Sequence, residues 1–176
     1  MGSVDEAPAP RVVPAPLPLP SFPELVAQTS KDLYRLATRL TGNRADADDV
    51  LQTTYLRAFE ALRSGAFRGE CRLETWLYRI VVNVAFDARR GQARREQLVK
   101  GPAPEVAPER SEAAVGLAEL RGALESLPED QRAALVLREL QGLSGREAAE
   151  VLERSEGAVE QLLVRARAAL RKRFEP

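Results

Sequence analysis

Three observations predict an all-α chain of two small helical domains joined by a flexible linker. Apolar residues recur at three- and four-residue spacing through two long stretches of the 176 residues. No stretch alternates apolar and polar residues as a strand does. Prolines collect outside the periodic stretches, seven of the twelve at or before position 23 and three more between 102 and 108.

Taken in order, residues 1–23 read as a Pro-rich disordered or polyproline-II tail, with a partner-docking peptide as the functional alternative. The first domain spans 24–99. Leu33, Leu36 and Leu40 make its first stripe, and Gly42-Asn43 closes that helix with residues that tolerate a left-handed backbone. A second helix opens near Asp46, with Val50, Tyr55, Leu56, Phe59 and Leu62 as its buried face. After a break at 65–69, Leu73, Trp76, Leu77, Ile80, Val81, Val84 and Ala85 form a third stripe ending at Arg89-Arg90-Gly91. The linker, 100–123, begins as a Pro-rich acidic run. The second domain spans 124–176, its elements near 113–125 (entering from the linker), 129–140, 144–152 and 156–173. Ser144 with Glu147 is a capping-box pattern that fixes the start of the third of these.

Composition narrows the function. With no His and a single Cys, Ser-His-Asp chemistry, His-based metal sites and an intramolecular disulfide are excluded. No pair of carboxylates is placed for acid–base work, so no catalytic residue, metal or cofactor is expected. No run of 18 apolar residues suggests a membrane span, and the proline-broken start is unlike a signal peptide, so a cytoplasmic protein is expected. Net charge is zero. Residues 24–100 carry 14 Lys/Arg against 10 Asp/Glu, and residues 124–176 carry 9 against 10, so any DNA contact must come from local patches.

Three patterns point to partners. Ala45 to Gln52 puts Asp46, Asp48, Asp49 and Gln52 on one short helical segment, suited to a basic protein surface, though carboxylates there also offset the helix dipole. Phe67 to Ile80 is aromatic and Arg-rich, suited to unstacked bases and phosphates. Trp76 fits a core position better than a base-stacking one. From Leu143 onward the spacing is that of a helix-turn-helix, with Ala149 at the helix crossing and Leu143, Ala148 and Val151 or Leu152 beneath it. Val159, Leu163, Ala166 and Leu170 give the second helix its buried stripe. Gly157, Glu160, Gln161, Leu162, Val164, Arg165 and Arg167 then face outward, where Gln161 suits adenine and Arg165 guanine or phosphate. A plain helical hairpin is the alternative.

Together these motifs resemble bacterial sigma-70 family sigma factors. Asp46-Ala47-Asp48-Asp49-Val50-Leu51-Gln52 with Leu56-Arg57-Ala58-Phe59 is similar to their region 2.2. Phe67-Arg68-Gly69 through Thr75-Trp76-Leu77-Tyr78-Arg79-Ile80 and Asn83 resembles regions 2.3 and 2.4. Leu127 to Arg132, Leu137 to Ser144 and Arg165 to Leu170 resemble region 4. The short, two-domain chain resembles the extracytoplasmic-function group.

The resemblance implies binding to core RNA polymerase, at the clamp helices of the largest subunit through Asp46, Asp48, Asp49 and Gln52, and at the flap of the second-largest. It implies capture of the promoter −10 strand by Phe67, Arg68, Gly69, Cys71, Arg72, Arg79, Asn83, Arg89 and Arg90. The −35 duplex falls to Arg138, Gly157, Glu160, Gln161, Arg165 and Arg167. An anti-sigma protein, often membrane-anchored in this group, is the implied regulator. For Asn83, a polar contact between helices is the competing reading; for Arg89 and Arg90, a solvated basic run. The chain departs from the family pattern at its recognition helix, where Glu160 and Leu162 stand at positions commonly cationic, and at Glu153, commonly glycine. That departure motivates a rival, a sigma mimic that sequesters an anti-sigma factor without binding DNA. A dimeric helix-turn-helix repressor is a third reading, which leaves the Asp46–Gln52 face unexplained.

Overall fold

The computed structural model describes residues 20–98 and 112–174, without the side chains of 96–98, 112–115 and 117. Most of the Pro-rich tail and of the linker's first half therefore lie outside the described residues. Every regular element among the described residues is helical.

Helix α1 is Phe22–Thr41. Its start is set by Ser21, whose backbone N–H and hydroxyl both donate to Glu24 Oε2 at 2.9 and 2.7 Å. Pro23 sits in the first turn, where a helix has no use for its missing N–H. Positions 22 and 23, assigned to the tail by their proline content, are thus helical. Gly42 ends α1 at φ 86°, its N–H donating to Thr38 O at 2.9 Å.

Helix α2, Arg44–Arg63, starts before Asp46 because Asn43 is the cap, its side chain accepting from the Asp46 N–H at 2.8 Å. Its inward stripe is Ala47, Val50, Thr54 and Ala58, small residues that let α2 lie close to its neighbours. Helix α3, Leu73–Leu98, runs through Gly91 rather than stopping there. One exposed glycine costs a helix only about 1 kcal/mol, and the strong helix formers Ala93, Arg94, Arg95, Glu96 and Gln97 follow. The three helices pack mutually around Leu25, Leu33, Leu36, Leu40, Val50, Leu77 and Val81.

In the second half, α4 is Glu112–Glu125, so the end of the segment read as linker is helical. Helix α5, Glu129–Leu135, passes into a π-helical turn, Val136–Leu140, where the Gln141 N–H reaches back to Val136 O at 2.9 Å. Helix α6, Gly145–Leu152, opens on the expected capping box: the Ser144 N–H and hydroxyl donate to Glu147 Oε2, both at 2.8 Å. Helix α7 is Glu156–Phe174. Leu137, Ala148, Ala149, Val151, Val159, Leu163 and Ala166 fill the space between α5, α6 and α7.

The two halves are docked as well as tethered. Helix α3 packs on α6, and α1 on α4 and the π turn. Arg39 donates to Leu140 O at 2.7 Å. Arg132, only 2% exposed, donates to Leu40 O at 3.0 Å, Leu124 O at 2.7 Å, and Glu125 O and Leu127 O at 2.9 Å each.

Candidate nucleic-acid interface

Of the four acidic-face residues, Asp46 is spoken for locally. Its carboxylate accepts from Asn43 Nδ2 at 2.6 Å and it lies half-buried in the first turn of α2. Asp48, Asp49 and Gln52 are exposed. At 100° per residue, these three share a face with Leu56 and Phe59, which are 59% and 44% exposed. Phe59 was expected in the core. It instead meets Phe22 edge-on at 5.1 Å and leaves much of its ring in solvent, because the buried side of α2 is taken by the 47/50/54/58 stripe. Leu56 departs from expectation in the same way. The result is a small apolar surface with Asp48, Asp49 and Gln52 on its rim. Sequence reasoning found its rim and missed its centre, although both residues lie one and two turns past Gln52 on the same face.

The segment from Phe67 to Arg90 divides into groups open to solvent and groups already engaged. Arg68 and Asn83 are exposed, so the helix–helix contact considered for Asn83 is not made. Gly69 takes φ 72°, which turns the chain toward α3. Phe67 is half-buried with its ring 4.7 Å from that of Trp76, and Trp76 itself packs against the core. Cys71 is half-buried. Burial raises its thiol above the ordinary value, and the positive charge of Arg79 works against that rise.

The other arginines have partners. Arg72 lies 3.7 Å from both Glu74 and Glu147. Arg79 donates to Glu150 O at 2.8 Å and pairs with Glu153 at 3.1 Å, while its Nε is buried without a partner. Arg89 donates to Leu40 O at 3.3 Å, at the carbonyl end of α1. Arg90 pairs with Asp87 at 2.9 Å and Glu129 at 3.8 Å.

In the second half, α6 and α7 form the helix-turn-helix. The turn between them holds Glu153 at φ 53°, the one non-glycine residue with positive φ among the described residues. Gly157, Glu160, Gln161 and Arg165 are exposed on α7, as is Val164. Leu162, expected outward, is partly buried against the core. Arg167 is paired with Glu139 at 2.5 Å and Glu160 at 3.8 Å, so a cation–anion chain runs from the π turn to α7. Arg138 is half-buried and donates inward to Leu143 O. Among these residues Arg165 is the cation on α7 with no ion pair.

An exposed acidic face on one helical unit and a helix-turn-helix on the other are the architecture of a helical transcription factor. The family comparisons agree. Residues 25–95 match the model described as sigma-70 region 2, and residues 117–170 that of sigma-70 region 4. The ECF RNA polymerase sigma factor SigE of Mycolicibacterium smegmatis is 39% identical over 164 residues, covering 87% of this chain and 61% of that one. The ECF sigma factor SigM of Mycobacterium tuberculosis is 36% identical over 151 residues, covering 85% of this chain and 75% of that one. Among solved structures, the Bartonella quintana sigma factor RpoE in complex with the anti-sigma factor NepR is 26% identical. Its TM-score is 0.69, with 86% of this chain and 94% of that chain covered. The chain belongs to the extracytoplasmic-function (ECF) group of RNA polymerase sigma factors. No helix among the described residues is long and apolar enough to cross a membrane.

Proposed function

We propose that this chain binds core RNA polymerase through the exposed α2 face and directs it to promoters by engaging the −10 and −35 elements. The observation that carries the reading is the patch of Asp48, Asp49, Gln52, Leu56 and Phe59, an apolar centre with an acidic rim held on a rigid helix. Asp46 contributes its charge from the cap. The domain limits in this reading are 24–99 for polymerase docking and the −10 element, 100–123 for the linker and 124–176 for the −35 element, which also reaches the polymerase flap. Phe67, Arg68, Gly69, Cys71, Arg72, Arg79, Asn83, Arg89 and Arg90 line the −10 strand. Gly157, Glu160, Gln161 and Arg165 approach the −35 duplex, with Arg138 and Arg167 behind them. The protein works in the cytoplasm, performs no chemistry itself, and is held by an anti-sigma protein, as the structural relatives solved in complex with NepR and CnrY are.

The test is multi-round transcription with purified bacterial core polymerase on fragmented genomic DNA from the source, comparing the native chain with Asp48→Arg/Asp49→Arg. Specific start sites from the native chain that vanish with the variant, at unchanged circular dichroism, are expected. A folded native chain that yields no specific transcripts would overturn the reading in favour of a mimic that titrates an anti-sigma factor. The Glu139–Arg167–Glu160 chain, which ties up a recognition-helix cation, is the observation on that rival's side.

A further inference from the structure

Helix α7 turns a chemically graded face away from the bundle. At 100° per residue, Gly157, Val164 and Ala168 lie opposite the buried Val159, Leu163 and Ala166 and mark the middle of that face. Gln161 and Arg165 flank the middle on one side, Glu160 and Arg167 on the other. Glu160 is exposed but not alone. Its Oε1 lies 3.8 Å from Arg167, and Arg167 is itself held by Glu139 of the π turn at 2.5 Å. The guanidinium therefore stands at the outer edge of the face, tied to a second element, with Glu160 inside it. Its positive charge offsets the repulsion between Glu160 and a phosphate strand passing that edge. A carboxylate offers about four acceptor positions, so the contact through Oε1 leaves capacity for a base.

We propose that Glu160 is a specificity-determining residue for the −35 element, accepting a hydrogen bond from cytosine N4, and that Arg167 is its positioning residue. The proposal deepens the −35 reading given above and rests on it. The major groove decides the partner. A carboxylate only accepts, and guanine (N7, O6) and thymine (O4) present only acceptors to a polar group there. Adenine presents its N6 donor beside the N7 acceptor, a pair that suits the amide of Gln161 and repels a carboxylate. Cytosine N4 is a donor with no acceptor on the same base edge. Val164 follows one turn later, about 6 Å along the helix, where its exposed side chain suits a thymine methyl. A cation at position 160, where the family pattern commonly has one, selects guanine, so the carboxylate reverses the preference. Arg167, engaged on both sides, acts on base choice through Glu160 and not on phosphate.

The experiment uses holoenzyme formed from core polymerase and the full chain. A promoter found by the genomic assay above is rebuilt with its −10 segment fixed, the duplex around −35 randomised and a transcribed barcode on each template. Sequencing the transcripts gives the base preference at every randomised position. The native chain is expected to favour cytosine at one position by about fivefold or more. Glu160→Gln should move the preference at that position toward adenine and leave the others unchanged. Arg167→Met should lower the cytosine preference about two- to fivefold, the worth of an exposed ion pair, and Arg167→Lys should keep most of it. Both residues are exposed and outside the buried stripe of α7, and circular dichroism checks that the fold is kept. No cytosine preference in the native chain, or a profile unchanged by Glu160→Gln, would overturn the proposal. An even loss of output across templates in Arg167→Met, with the cytosine ratio intact, would make Arg167 a phosphate contact and overturn its positioning role. Each of these results still yields transcripts, whereas failure of the sigma reading removes them from every template.

Discussion

Replacing Arg132 with Met should destabilise the protein by about 1–3 kcal/mol, although the side chain touches no carboxylate among the described residues. Arg132 is a buried cation whose counter-charge is made of backbone. Leu124 O, Glu125 O and Leu127 O lie at the carbonyl end of α4, and Leu40 O at that of α1, where helices leave acceptors unpaired and partially negative. Methionine keeps the aliphatic packing and removes the desolvation cost of the charge, but it strands the acceptors. Leu40 O retains Arg89 as a second donor, and Glu125 O lies where water reaches it more easily. Leu124 O keeps the Leu127 N–H at 3.1 Å, which leaves Leu127 O, costing about 1–3 kcal/mol when buried without a partner. Against a total stability of about 5–15 kcal/mol the loss is large. For a chain of this size it lowers Tm by roughly 6 °C. Urea denaturation followed by circular dichroism gives the free energy, and Arg132→Lys provides the discriminating comparison. A single ammonium cannot span four carbonyls set around a planar guanidinium, so lysine should recover less than half of the loss. A loss below about 1 kcal/mol for Met, or full recovery by Lys, would refute the argument that these helix ends depend on a guanidinium.

Glu153→Gly should be more stable than Glu153→Ala by about 1 kcal/mol in urea denaturation, because both lose the Arg79 pair but only glycine relaxes the left-handed backbone at φ 53°. Acid should weaken the helix starts: hydrogen bonds from Ser144 hold the Glu147 carboxyl below its ordinary value of 4.5, and those from Ser21 do the same for Glu24. A depressed folded value means stability that is present above pH 4.5 and lost as pH falls through the folded values; urea midpoints should drop there, and less so in Glu147→Gln. Burial raises the Cys71 thiol, so iodoacetamide should alkylate it at neutral pH more slowly than free cysteine, and more slowly again in Arg79→Met, which loses the opposing positive charge.

The helices were legible in the sequence because their signals are local. Gly42, the Ser144–Glu147 box and the leucine stripe of α1 each act within one or two turns, and each appears as expected. Errors came where a local rule met a longer-range one. Proline content placed residues 22 and 23 in the tail, although proline is welcome in a first helical turn. Gly91 looked like a stop, although an exposed glycine among strong helix formers is cheap to carry through. Arg132 gave no sequence signal of burial at all, since arginine is ordinarily a surface residue. Its partners come from two separate segments, and only the docking of α4 on α1 brings them together.

The same distinction explains what could be read of the functional faces. Which residues share the acidic face of α2 follows from a helical repeat, so Asp48, Asp49 and Gln52 could be grouped without a fold. Whether Leu56 and Phe59 join them depends on which side of α2 the bundle covers, and the small residues Ala47, Thr54 and Ala58 decide that. For the arginines the gap is wider. Arg68 and Arg72 are alike in sequence and both exposed, yet Arg72 lies within ion-pair reach of Glu147 from the other half of the chain. Arg165 and Arg167 sit two residues apart on α7, yet only Arg167 is drawn into the Glu139–Glu160 chain. A cation's availability to DNA is therefore a property of the docked pair of domains. Counting Lys and Arg along the chain gives how much positive charge there is to offer, while the carboxylates brought opposite by folding determine how much of it a phosphate meets first.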